Sequence, residues 1–216
     1  MKIGVLGTGI VGRTIGTKLA RLGHEVKIGS RTADNPDATE WATGEGQNAS
    51  NGTFADAAEF GDMVINATAG GVSIHALETA GPANLGGKVL VDIANPLDFS
   101  KGMPPTLSVS NDDSLAEHIQ RTFPDTRVVK ALNTMTASVM VEPSAVAGSH
   151  NAFIAGNDQE AKAAVVELLE EFGWQAEDIL DLGDLTAARG LEMVLPLWIR
   201  LMSVQGTAAF NFKIVR

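Results

Sequence analysis

The chain has 216 residues, 44% of them apolar and 23 of them glycine, with neither cysteine nor tyrosine. Its 26 acidic residues outweigh 16 basic ones, for a formal net charge of −10. These values exclude a disordered chain, disulfide or thiolate chemistry, and a general nucleic-acid binder or basic membrane-surface protein. They leave room for one large domain with at most a small appendage.

Strand-like and helix-like segments alternate along the chain. Residues 2–6 read as a short apolar strand, and residues 7–12 are glycine-rich. Residues 13–22 carry Ile15, Leu19 and Leu22 at helical spacing, with Gly23 as a stop. Residues 25–28 read as a second strand, ended by Gly29, Ser30 and Arg31. Residues 32–53 are polar, and Asn35-Pro36-Asp37 predicts a break in local structure. A helix is expected over 54–60, a strand over 63–67, a helix over 74–80 and a strand over 88–93. Pro104-Pro105 reads as a surface turn. Residues 113–123 are amphipathic, with Leu115, Ile119 and Phe123 at period four. Strands follow at 127–132 and 152–155. Asp158 is a natural N-cap for a helix ending at Phe172 before Gly173, and 179–182 reads as the last strand.

This alternation predicts an α/β fold: a Rossmann-type, doubly wound, mainly parallel sheet covered on both faces. It would occupy residues 1–182, leaving 183–216 as a small C-terminal helical appendage. Residues 184–206 read as one long helix kinked at Pro196. Arg189, Glu192, Arg200 and Ser203 fall near one stripe, and the remainder is almost wholly apolar. Such a helix is expected to be buried on most sides, as core, subunit contact or cavity wall. No apolar run reaches the ~20 residues needed to span a bilayer, and the start lacks a signal-peptide pattern. The sequence therefore reads as a soluble cytoplasmic protein with no membrane or nucleic-acid partner.

Gly7-Thr8-Gly9-Ile10-Val11-Gly12 matches G-x-G-x-x-G between a predicted strand and a predicted helix, the setting that gives the motif meaning. Gly7 suits the tight turn, Gly9 lets a pyrophosphate approach the backbone, and Gly12 lets helix and strand pack closely. The helix N-terminus adds free N–H groups and a positive dipole end. Sites for NAD usually place an acid at the end of the second strand. Here Gly29-Ser30-Arg31-Thr32 has none. Arg31 can grip a 2′-phosphate, with Ser30 and Thr32 as donors, so NADP is expected. Small residues at 67–71 and at Ala94-Asn95-Pro96 leave room for ribose and nicotinamide. Asn95 could bond the ribose or amide, or only form an Asn-Pro turn.

Ketone and imine reductases need a proton donor near the hydride acceptor. Tyrosine is absent, and His24, His75, His118 and His150 are scattered without an obvious carboxylate to orient them. Lys130 could act as an acid or be a strand residue with an ion-pair partner. No acid–base residue and no metal site is therefore expected. That favours hydride transfer to an acceptor needing little proton help, such as a flavin-like ring.

The chain resembles the coenzyme F420-dependent NADP oxidoreductases over nearly its full length. The resemblance rests on Ile3-Gly4-Val5-Leu6-Gly7-Thr8-Gly9, on Leu22-Gly23-His24-Glu25-Val26 followed by Gly29-Ser30-Arg31, and on Val129-Lys130-Ala131-Leu132-Asn133-Thr134. Ala188-Arg189 and Leu195-Pro196-Leu197-Trp198-Ile199 extend it into the tail. It implies NADP on Thr8, Gly9, Ile10 and Val11, with Ser30 and Arg31 at the 2′-phosphate. It implies Thr68, Ala69, Pro96 and Ala137 along the ribose and nicotinamide. Coenzyme F420 would stack near Asn133, Thr134 and Met135, against the tail helix. Hydride would pass directly between nicotinamide C4 and deazaflavin C5, and the protein would be a homodimer. Two departures stand out: no lysine follows Ser30-Arg31 within Thr32-Ala33-Asp34-Asn35, and Asn133 stands where some members have histidine. The same nucleotide architecture occurs in membrane ferric reductases, which reduce flavin. A reductase of flavin, an imine or a small carbonyl compound, and a non-catalytic NADP-binding regulator, are the alternatives.

Overall fold

Short runs of valine, isoleucine and leucine, buried on both faces, form the centre of the molecule. The computed structural model describes residues 1–215. Its strands are β1 (Lys2–Leu6), β2 (Glu25–Ser30), β3 (Ala49–Thr53), β4 (Met63–Asn66), β5 (Val89–Asp92), the two-residue β6 (Leu97–Asp98) and β7 (Thr106–Leu107), β8 (Arg127–Ala131), β9 (Ala152–Gly156) and β10 (Ile179–Asp181). The helices are α1 (Ile10–Arg21), α2 (Pro36–Glu45), α3 (Phe54–Phe60), α4 (Gly70–Ala80), α5 (Pro82–Leu85), α6 (Leu115–Thr122), α7 (Ala137–Val141), α8 (Gln159–Phe172), α9 (Ala188–Met193) and α10 (Leu195–Gln205).

Eight strands form one sheet in the order β3-β2-β1-β4-β5-β8-β9-β10. Every pairing is parallel except β8 with β9, where Lys130 stands opposite Ala155. The fold is thus a Rossmann-like α/β sheet, mainly parallel, with C-terminal helices after it. One apolar layer joins Ile3, Val5, Ile15 and Leu19 to Leu168 and Phe172 of α8. The other joins Leu6, Val64 and Leu90 to Leu77 of α4 and Ile119 of α6. The chain winds one way from β1 through β3 and the other way from β4 onward. This reversal leaves a crevice at the carboxyl ends of β1 and β4. Among the described residues, no helix is long and apolar enough to cross a membrane.

Three expectations need correction. Asn35-Pro36 starts a helix instead of breaking structure: the Asn35 side chain accepts from Ala38 N at 3.1 Å and Pro36 sits in the first turn. Proline costs no hydrogen bond there, and asparagine satisfies a free N–H. The polar run 32–53 therefore holds α2 and β3, anchored by the buried Trp41, whose Nε1 donates to Thr17 Oγ1 at 3.0 Å. The tail is two helices, α9 and α10, joined at Val194, with Pro196 in the first turn of α10. Its burial is one-sided: Leu191, Leu195 and Ile199 face inward, while Leu197 is 52% and Val204 74% exposed. Finally, β8 stops at Ala131 because Leu132 takes φ 61°. A branched side chain pays steric strain in that region, so the surroundings must hold Leu132 there.

Candidate active site

The β1–α1 turn is shaped by three glycines with different surroundings. Gly7 has φ 119°, and its N–H donates to Gly29 O at 3.0 Å. A Cβ at Gly12 would lie 2.0 Å from the Gly7 carbonyl oxygen. A Cβ at Gly9 would meet nothing within 4 Å. Packing thus closes two of the glycines, and the third faces open space where a phosphate can reach the backbone.

Helix N-termini explain the rest of the site. Away from the crevice, α2, α3, α6 and α8 are capped by the side chains of Asn35, Thr53, Ser114 and Asp158. In contrast, α1 opens on Gly9, α4 on Ala69 and α7 on Thr136, with no capping side chain and no acid in the first turn. Their free N–H groups are left for a ligand or water. All three helices open on one cavity of about 540 Å³. Ile10 and Val11 form its floor, residues 67–72 and 93–95 one wall, and Asn133, Met135, Thr136, Ala137 and Met140 another. Leu97 and Phe99 of the β6–β7 hairpin and Leu195 and Trp198 of α10 close it. None of its lining residues is titratable.

The residues singled out from the sequence divide around this cavity. Ile10, Val11, Thr68, Ala69, Asn95, Asn133, Met135 and Ala137 line it. Thr134 is buried beside it without lining it, and Pro96 lies behind the wall, its carbonyl accepting from Ser108 N at 2.8 Å. Gly7, Thr8, Gly9 and Gly12 form the adjoining turn. Arg31 follows the end of β2 outside the cavity, exposed and without an ion pair among the described residues. Ser30 is buried, and its hydroxyl bonds the Thr32 carbonyl, so it shapes the turn beneath Arg31. Asn95 locks two strand ends together: it donates to the Asn133 carbonyl at 2.9 Å, and Asn133 Nδ2 returns a 2.9 Å bond. Asn133 Nδ2 also donates to Leu191 O on α9 at 2.8 Å, leaving its Oδ1 buried without a partner. Trp198 Nε1 is likewise buried and unpaired, and its ring stacks on Phe210 at 5.3 Å.

The histidines stand elsewhere. His24 bridges the N-terminus and Glu171, His75 lies near Glu78, His118 bonds Asp113, and His150 lies between Pro143 O and Asn211. Lys130 takes the ion-pair role. It is fully buried, 2.8 Å from Asp92 Oδ2 and 2.9 Å from Glu192 Oε1, and also bonds the Ala94 carbonyl. Burial alone would lower the lysine, but the two carboxylates outweigh it and hold it protonated. Glu192 is pushed up, chiefly by its own burial, against the pull of Lys130. Asp92 also accepts from Asn66 Nδ2 at 2.8 Å, and Asn66 Oδ1 accepts from Thr68 Oγ1 at 2.7 Å. Sequence reasoning missed Asn66, Asp92 and Phe99 and gave Glu192 only a place on the polar stripe of the tail helix. One signal was present: a lysine and an aspartate inside apolar strands are two buried charges that stabilise each other only as a pair.

A family model described as "NADP oxidoreductase coenzyme F420-dependent" matches residues 2–96. The F420-dependent NADP reductase of Methanothermobacter marburgensis is 32% identical over 211 residues, covering 93% of this chain and 92% of that protein. The rat metalloreductase STEAP3 is 30% identical over 201 residues, but the chain spans only 38% of its length. A crystal structure from Arthrobacter sp. FB24, provisionally assigned as an F420-dependent NADP reductase, is 56% identical over the whole of both chains, with a TM-score of 0.96. An Aspergillus terreus reductive aminase in complex with NADPH shares the fold alone, at 19% identity and a TM-score of 0.67 over 94% of this chain and 62% of that one. Fold, glycine turn and these likenesses converge: the chain belongs to the coenzyme F420-dependent NADP oxidoreductase family.

Proposed function

We propose that the protein transfers a hydride between NADP(H) and coenzyme F420. One observation carries this reading: the cavity is apolar and lacks any titratable lining residue. A carbonyl or imine acceptor would lack a protein acid there, whereas ring-to-ring hydride transfer needs mainly orientation. When bound, NADPH supplies the hydride and the deazaflavin ring accepts it.

The chain's own residues bind and orient. The N–H groups at the start of α1 would hold the pyrophosphate over Gly9, and Arg31 the 2′-phosphate. Thr68, Ala69, Asn95 and Ala137 would border the ribose and nicotinamide. Asn133, Met135, Phe99 and Trp198 would border the acceptor ring, with Thr134 supporting them from behind. Residues 1–182 would thus hold the nucleotide, while the tail supplies the acceptor wall. The exposed apolar side of α10 would be the contact of a homodimer.

The likeness to the metalloreductases favours a second reading, in which another ring such as a flavin takes the same place. Purified protein should oxidise NADPH when F420 is added and do so far more slowly with FMN. Equal rates with both would favour the second reading, and tight NADPH binding without turnover of any acceptor would favour a regulator.

A further inference from the structure

The buried lysine does more than neutralise a charge. Its Asp92 partner closes β5, one residue before the turn that brings Ala94 and Asn95 to the cavity. The other oxygen of Asp92 leads through Asn66 to Thr68, also on the cavity. Glu192 lies on α9, three residues before Leu195 of α10, which lines the opposite wall. Both oxygens of the Glu192 carboxylate are occupied: Oε1 by Lys130 and Ala116 N (3.2 Å), and Oε2 by Leu115 N at 2.8 Å. One ammonium group therefore sits where the nucleotide wall, the acceptor wall and the start of α6 meet, in a place with no solvent to loosen it.

We infer that Lys130 and Glu192 are positioning residues that fix the distance between the nucleotide wall of the cavity and α10, and so the fit of the second substrate. This rests on reading the cavity as the acceptor site. The two residues touch neither substrate. They act through Asp92 on Thr68 and Asn95, and through the α9 backbone on Leu195 and Trp198. The Asn133 bond to Leu191 O ties the same helix to the segment just after β8, so a shift of α9 disturbs the acceptor wall before it disturbs the β1–α1 turn.

The test is Glu192→Gln in the full-length protein. A carboxylate accepts on both oxygens, but an amide must turn its NH₂ toward either the lysine or the α6 N–H groups, setting donor against donor. The KM for F420 should rise about ten- to a hundredfold, as expected when binding shared by ground and transition state is lost. Saturated kcat and the NADPH dissociation constant should stay within about threefold, since the Gly9 turn is untouched. Amide hydrogen exchange should rise in α9, α10 and the first turn of α6, and not in α1. An unchanged KM, or NADPH affinity falling in step with it, overturns the inference. If the unaltered protein does not reduce F420, the acceptor reading fails, and the exchange pattern with NADPH bound then decides: no change in α9 and α10 overturns the positioning role. Should the glutamine variant not fold, Glu192→Asp keeps the charge on a shorter arm and is judged by the same KM and exchange criteria.

Discussion

Among the described residues, the buried polar side-chain atoms without a partner are Asn133 Oδ1, Trp198 Nε1 and Asn211 Oδ1. Two belong to the tail and the third lies against it. The central strands also bury their large apolar side chains more completely than the tail does. Leu6, Leu90 and Ile3 of the sheet are sealed from solvent, whereas Leu197, Val204 and Ile214 are half exposed or more. The sheet's ladders and the caps of α2, α3, α6 and α8 are satisfied from within, while α1, α4 and α7 keep free N–H groups at the cavity. In the proposed function, the tail is completed by what binds against it, a ring in the cavity and a second chain on its outer side. Stability should therefore reside in the sheet, and acceptor choice and assembly in the tail.

The largest expected effect lies in the sheet. Gly12→Val should prevent folding, because its Cβ would overlap the Gly7 carbonyl oxygen at 2.0 Å. Gly9→Ala should fold with an unchanged Tm yet lose about tenfold or more in NADPH affinity, as backbone–phosphate contacts are screened. A normal Gly12→Val protein would break the assignment of the turn. Next is Lys130→Met, which leaves Asp92 and Glu192 buried without a cation. Breaking such a network costs about 3–5 kcal/mol, a Tm loss on the order of 10 °C for a chain of this size, measurable by calorimetry.

Arg31→Glu should raise the KM for NADPH about a hundredfold, by loss of a charge-assisted pair and gain of a repulsion, and leave that for NADH nearly unchanged. Equal changes would remove Arg31 from the 2′-phosphate.

A smaller effect separates sheet and tail by pH. Arg189 on α9 grips Glu117 on α6 through two bonds of 2.6 and 2.9 Å. These bonds, chiefly, hold the Glu117 carboxyl below its ordinary value of 4.5. A lowered carboxyl stabilises the fold fully above its ordinary value and loses that contribution as pH falls through its folded value. Glu192 is raised, so its cost has the opposite sign and is relieved on acidification. Melting curves of the native protein and Arg189→Gln should differ above pH 4.5 and converge below it; a constant gap would show that the pair is not the cause. The smallest effect on Tm belongs to Leu197→Glu with Val204→Glu. Both positions are exposed in the single chain, so the Tm of the monomer should hold while light scattering reports loss of the proposed dimer.

Much of this was legible before the structure, and the rest had physical reasons to stay hidden. The glycine turn, Asp158 as a cap, and the strands around β1, β4 and β5 follow from local chemistry and short apolar runs. The helix α2 was hidden because Trp41 is its one large apolar anchor and Asn-Pro is equally a stop and a start. The break at Val194 was hidden because proline in a first turn and proline in a kink look alike in sequence. At the site, Gly9, Arg31 and the small strand-end residues could be named from spacing. Asn66 and Glu192 could not, and Asp92 only as a charge inside an apolar strand, since partners 26 to 77 residues apart meet only once the sheet order is known.

The most direct test is NADPH oxidation followed with F420, FMN and no acceptor side by side, repeated with NADH. The proposed function predicts rapid turnover with NADPH and F420, little with FMN and little with NADH. Tight NADPH binding with no F420 turnover at any pH would contradict it.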